Sequence, residues 1–433
     1  MSILCSLSIK NLQGFSGKIS FEQTTGLIGK EATGKTAFFR ALSIIRALIL
    51  GCNIPSDFHK YFADNTEIAA EFKLGDYHFW YTVGLGTDKE LAGNVEWRGS
   101  DPYSPACQEK ASPQIRFERL ECKWPGNKKR ELLADAKSGE NIYQVFGPQT
   151  KQKLFLEHKR SGARTAAWVE RQVNYKQGSS FLFSKFMFKK YEEASEAAKA
   201  AFPTEGLRQL LDWAAEHWLM LASHPAKESM LVKYCGSWHI IRKTRVDGNR
   251  YVEGTELTKA EWDSLQDNLK QVNQLLLASA GATLKIRSIL GTEYQQGFGS
   301  IETIVVEHHG KEIPIDEAND SLTTLAQLCW MLLECNVEDN LVAIDDLDKN
   351  INDELLRALI RCFKAAKGQV IFTSLSTSPL RTLDWRETWF TQSNVLASDF
   401  APAERTTATG SLLNRYISEH VQDYNDLEDL LVD

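Results

Sequence analysis

The stretch Thr24-Thr25-Gly26-Leu27-Ile28-Gly29-Lys30-Glu31-Ala32-Thr33-Gly34-Lys35-Thr36-Ala37-Phe38-Phe39 decides the fold. Gly26 to Ile28 runs apolar into a glycine, and from Thr36 to Leu50 apolar residues recur at helical spacing. Between that strand and that helix, Gly29 to Thr36 matches GxxxxGK[ST], the phosphate-binding loop pattern. Each element has a chemical reason. Glycines let backbone amides approach phosphate oxygens, Lys35 neutralises the β and γ oxygens, and the Thr36 hydroxyl ligates magnesium. Gly29, Thr33, Gly34, Lys35 and Thr36 are the expected nucleotide-binding residues, with ATP and Mg2+ as ligands.

Phosphoryl transfer also needs a carboxylate on the far side of the magnesium and a group that positions water. Asn340-Leu341-Val342-Ala343-Ile344-Asp345-Asp346 supplies both, as an apolar run that ends in two carboxylates. Such a run reads as a buried parallel strand, at whose C-terminal end ligands bind. Asp345 is assigned to the magnesium shell, through water, and Asp346 to the attacking water. The plainer alternative is an edge strand entering an acidic turn.

Working outward, Ile3 to Ile9 alternates, Gly14 and Gly17 punctuate, and Thr66 to Gly84 reads as a hairpin turning at Gly75-Asp76. From Phe186 to Gly281 the pattern is largely helical and alanine-rich, with a second hairpin at Asp247-Gly248. The final third returns to alternating strands and helices, which implies a parallel sheet. The expected architecture is α/β, with residues 1–185 as a β-rich lobe carrying the phosphate loop, 186–283 as a helical insertion, and 284–433 as a second α/β lobe.

The 433 residues, 43% hydrophobic and 25% charged, describe an ordinary folded chain of two or three compact units. The longest apolar stretch, Ala41 to Cys52, contains Arg46 and is too short to cross a bilayer. Nothing at the start reads as a secretion signal, so a cytoplasmic protein is expected. Eight cysteines without CxxC spacing argue against a zinc ribbon and read mostly as small core residues. A net charge of -7 supplies no general attraction to nucleic acid. Local basic runs, Asn127 to Arg130 and Lys151 to Arg164, leave such contact possible or are solvated faces. His308-His309 before Gly310 reads as a solvated hairpin turn, since no partner stands at metal-ligand spacing.

The order of strand, phosphate loop, long insertion, acidic strand and then Gln369-Val370-Ile371-Phe372-Thr373-Ser374 resembles ATPases of the SMC, RecF and OLD type, especially the OLD-like AAA members. The resemblance implies an ABC-class ATPase head that holds ATP between two subunits, hence a homo-oligomer. It also implies a signature serine that meets the γ-phosphate of the facing subunit; here the matching stretch is Asn319-Asp320-Ser321-Leu322-Thr323-Thr324, with Ser321 in that role. Thr323 stands where the family places glycine, and Ser321 reads alternatively as a helix N-cap. Two further departures concern catalysis. The family's glutamate after the magnesium aspartate is Asp346, one methylene shorter, and its switch histidine is Leu375. Together they imply slow hydrolysis or nucleotide used as a clamp.

OLD nucleases append a TOPRIM domain, for which the residues after Ser374 offer neither room nor acidic pattern. Stand-alone members of this size resemble the ATPase halves of two-gene phage-defence systems such as PARIS and Septu. A sensor that controls a separate effector, such as a nuclease, is the implied role. The rivals are a RecF-like repair ATPase and a non-catalytic, ATP-held scaffold.

Overall fold

The computed structural model describes residues 3–30, 33–54, 56–87, 113–125, 129–137, 180, 182–183, 204–221, 229–234, 237–246, 249–289, 299–315, 317–394 and 397–402. Its main sheet begins with the hairpin of β1 (Leu4–Leu12) and β2 (Phe15–Ser20), in which Gly14 takes φ +81 at the turn. β3 (Thr24–Ile28) leads to the phosphate loop and to α1 (Lys35–Ile49). β4 (Phe62–Leu74) and β5 (Tyr77–Thr87) form the expected hairpin, with Gly75 at φ +54, and β6 (Pro113–Lys123) and β7 (Glu131–Lys137) extend it.

After α2 (Thr204–Glu216) and β8 (Trp218–Leu221) come the antiparallel strands β9 (Ser229–Tyr234), β10 (Ser237–Val246) and β11 (Asn249–Leu257). Then follow α3 (Lys259–Ala280), β12 (Ala282–Ile289), β13 (Gly299–His308), β14 (Lys311–Pro314) and α4 (Asp320–Glu334). The acidic strand is β15 (Leu341–Ile344), succeeded by α5 (Asp353–Ala365), β16 (Gln369–Ser374), β17 (Thr388–Asn394) and β18 (Ala397–Pro402).

Among the described residues, twelve strands form one sheet in the order β7-β6-β5-β4-β1-β2-β18-β17-β3-β16-β15-β8. Its β17-β3-β16-β15-β8 portion is parallel throughout. Burial of both faces explains the unbroken apolar runs here. On β15, Leu341 and Ala343 pack into the core that holds α1, while Val342 and Ile344 pack into the core that holds α5. β16 follows suit, with Ile371 on the first side and Val370 and Phe372 on the second. The sheet is therefore pinned between two helices, and its C-terminal edge is fixed in place.

The expectation of a helical insertion over 186–283 is not confirmed: among the described residues there, α2 and α3 share the interval with strands. β8 joins the main sheet beside β15, and β9 to β11 lie in a second antiparallel sheet, in which β9 pairs with β13 and β10 bridges β9 and β11. Their sequences (SMLVKY, SWHIIRKTRV, NRYVEGTEL) carry the alternating β-branched and aromatic residues that suit a pleated surface, which outweighs the alanine-rich flanks. The hairpin expected at Asp247-Gly248 is present, with Val246 opposite Asn249, although those two turn residues lie outside the described set. α2 is no part of a separate unit either: Leu207, Leu210, Trp213 and Ala214 are buried in the core under the main sheet.

Of the described cysteines, Cys122, Cys329 and Cys335 are buried, as core residues, whereas Cys52 and Cys362 are exposed. Burial raises the thiol pKa of Cys122 to about 12 and of Cys329 to about 11. Among the described residues no helix is long and apolar enough to cross a membrane.

Candidate functional site

The end of β3 enters the phosphate loop through Gly29, whose amide donates to the Ser374 carbonyl at 3.2 Å on neighbouring β16. Glu31 and Ala32 lie outside the described residues; Thr33, Gly34 and Lys35 follow, all buried. Gly34 turns the chain into α1 with φ +97, a conformation in which a Cβ is strained. A Cβ there would also lie 2.1 Å from the Phe15 ring. At Gly29 a Cβ would lie 1.7 Å from the Thr391 hydroxyl, so both glycines are sterically required.

Lys35 is 4% exposed and curls back into the loop, where its ammonium donates to the Gly29 carbonyl at 2.7 Å and to that of Lys30. Thr33 donates to the Lys30 carbonyl at 2.7 Å and shares a short hydroxyl contact with Thr391 on β17. Thr36, the expected magnesium ligand, is exposed at the start of α1.

The N-terminus of α1 differs from those of α4 and α5. Those two are capped by the Asn319 and Asn352 side chains and carry Asp320, or Asp353 and Glu354, in the first turn. α1 begins at Gly34 with no side-chain cap and no acidic residue in its first turn. Its partial positive charge is thus left for an external anion, and the residues fit a nucleoside triphosphate.

Asp345 and Asp346 stand at the C-terminal end of β15, one strand beyond β16. Asp345 is 5% exposed and its Oδ1 accepts from the Thr373 hydroxyl at 2.7 Å. That same hydroxyl accepts the Asp346 amide at 2.8 Å, and the Leu347 amide donates to the Thr373 carbonyl at 2.9 Å. A fully buried hydroxyl therefore holds the Asp345 carboxylate and the Asp346 backbone together; removing it would cost both bonds, about 0.5–1.5 kcal/mol each or more where a charged group takes part. Asp346 is half-buried and holds φ +52, a costly conformation for a residue with a Cβ.

The parallel strands thus bring Gly29, Lys30, Thr33, Gly34 and Lys35 to the same edge of the sheet as Asp345 and Asp346. Ser321 is elsewhere. It is exposed on the first turn of α4, in a cleft shared with Ser279, His308, Asn319, Asn350 and Asn352, and none of the described phosphate-loop residues lines that cleft. The N-cap of α4 is Asn319, whose Oδ1 accepts the Leu322 amide at 2.8 Å, so the capping alternative for Ser321 is excluded. Thr323, in the glycine's place, is buried and donates to the Ile315 and Asn319 carbonyls. Leu375 follows β16 directly and is 38% exposed.

Thr373, Thr391 and Phe15 are site residues that sequence reasoning missed. Thr391 meets Thr33 across 358 positions, and no spacing rule reaches that far. Thr373 was within reach, as the last hydroxyl but one in an apolar strand paired with the acidic one. Of the other features, His309 (φ +50) and Gly310 (φ +73) do turn the β13–β14 hairpin. Lys129 and Arg130 are exposed, and Asn127, Lys128 and residues 151–164 lie outside the described set.

No protein-family profile and no curated protein matches this chain. Solved structures with a similar course include the Smc head domain with a coiled coil and joint from Pyrococcus yayanosii. It is 10% identical with a TM-score of 0.43 over 98% of this chain and 100% of that one. The SMC head domain bound to the C-winged helix domain of ScpA is 10% identical, TM-score 0.41, over 92% and 97%. The recombination mediator protein RecF with ATP is 13% identical, TM-score 0.34, over 93% and 96%. None of these likenesses identifies a family.

Proposed function

We propose that this chain is an ABC-class ATPase of the SMC, RecF and OLD type, which binds ATP at Gly29 to Thr36 and hydrolyses it slowly. The observation that carries the reading is the shared sheet edge, where uncapped α1, buried Lys35 and the Thr373-tethered Asp345-Asp346 pair converge. Thr36 and Asp345 would hold magnesium, which supplies charge neutralisation to the phosphates when bound. Lys35 trades its two loop carbonyls for phosphate oxygens, and Asp346 orients water and takes up its proton.

Ser321 is exposed, in a cleft that none of the described phosphate-loop residues lines, which suits a contact made with a second copy's nucleotide. The complete site then belongs to a homo-oligomer. Its role as sensor and regulator of a separate effector, in defence against phage, rests on the resemblance of motif order. A scaffold held together by unhydrolysed ATP is the second reading, favoured by Leu375 where an imidazole would meet the γ-phosphate.

Light scattering and phosphate release, each with and without ATP and magnesium, test the two readings. We expect ATP-dependent doubling or more of the mass together with slow turnover. Assembly without turnover would select the scaffold, and neither would refute both.

A further inference from the structure

We propose that Asp348 is a positioning residue that yokes the loop after β15 to the loop after β16, and so holds Asp346 in its reactive conformation. This rests on the reading of Asp346 given above. The Asp348 carboxylate accepts the Leu375 amide on both oxygens, at 3.1 Å each, and the Ser376 amide at 2.7 Å. Successive amides converging on one ionised carboxylate make charge-assisted bonds, stronger than neutral ones.

The position of this clamp is what matters. Asp346 sits between two anchors: its own amide is held by Thr373, and two residues later the chain is held by Asp348. The intervening turn is closed by the Lys349 amide on the Asp346 carbonyl at 2.9 Å. The positive φ of Asp346 costs free energy that the surroundings must supply, and release of either anchor lets it relax. On the other side, the Ser376 hydroxyl donates to Asp353 at 3.3 Å, which ties the same loop to the first turn of α5. Leu375, where an imidazole is missing, is thereby fixed through its backbone rather than its side chain. The carboxylate of Asp348 replaces side-chain contact with the nucleotide as the means of coupling the two loops.

The test measures ATP turnover, ATP affinity and amide hydrogen exchange at Leu375 and Ser376 for the native chain, Asp348→Ala and Asp348→Glu. Asp348→Ala should lower kcat at least tenfold and leave ATP affinity within about threefold, because the phosphate loop is untouched. Exchange at Leu375 and Ser376 should speed tenfold or more, and Asp348→Glu should recover part of both effects. Native kcat, or native exchange at those two amides, in Asp348→Ala overturns the proposal. Should the native chain bind no ATP, the nucleotide reading fails by itself. The yoke then stands or falls on exchange in the nucleotide-free protein, where unchanged protection in Asp348→Ala refutes it.

Discussion

Asp346→Asn should abolish turnover while preserving ATP binding: a fall in kcat of about a hundredfold or more, the usual weight of a positioned general base. The substitution keeps side-chain size, and asparagine tolerates φ +52 as well as aspartate does, so the backbone bond to Thr373 is retained. What is lost is the basic oxygen alone. Affinity, set by the phosphate loop, should stay within about threefold, because the substitution touches only the chemical step. Phosphate release under saturating ATP, alongside calorimetric titration, reads both quantities. Equal turnover in the variant would remove Asp346 from the mechanism and leave the slow reaction to another group.

Gly34→Ala should damage both binding and fold. A Cβ at φ +97 carries a backbone cost of about 1–3 kcal/mol, and this one also lies 2.1 Å from the Phe15 ring, which must move. Phe15 packs against the main core from β2, so its displacement loosens the hairpin as well as the loop. The start of α1 then shifts and takes the Lys35 and Thr36 amides with it. ATP affinity should fall at least tenfold, with a lower denaturation midpoint. A Gly34→Ala protein with native affinity would mean that the loop conformation described here is not the one that binds.

The phosphate loop and the acidic strand were legible because both are local: a glycine spacing and an apolar run ending in carboxylates. The sheet confirms the sense of those runs, since β15 and β16 are buried on both faces. What could not be read depends on distant pairing. Thr391 reaches Gly29 only because β17 lies beside β3, a neighbour relation that sequence order does not give. The contacts of Asp348 likewise depend on the loop after β16 folding over it, which no local pattern carries. The β10–β11 hairpin was legible at Asp247-Gly248, but β9 and its pairing with β13 were not, because the alanine-rich helical flanks, now partly α2 and α3, dominate the interval. Ser321 was placed correctly on a helix start, but Asn319, two residues earlier, does the capping.

ATP binding by the native chain and by Lys35→Ala, titrated calorimetrically with magnesium, tests the central claim most directly. Lys35 is buried in the loop with its ammonium already directed at the Gly29 and Lys30 carbonyls, so alanine removes a desolvated cation that triphosphate would otherwise meet. The account predicts magnesium-dependent binding by the native chain and a loss of at least a hundredfold in Lys35→Ala, by analogy with a charge-assisted contact left unmade. Equal affinity in the two proteins, or no binding by either, would contradict it.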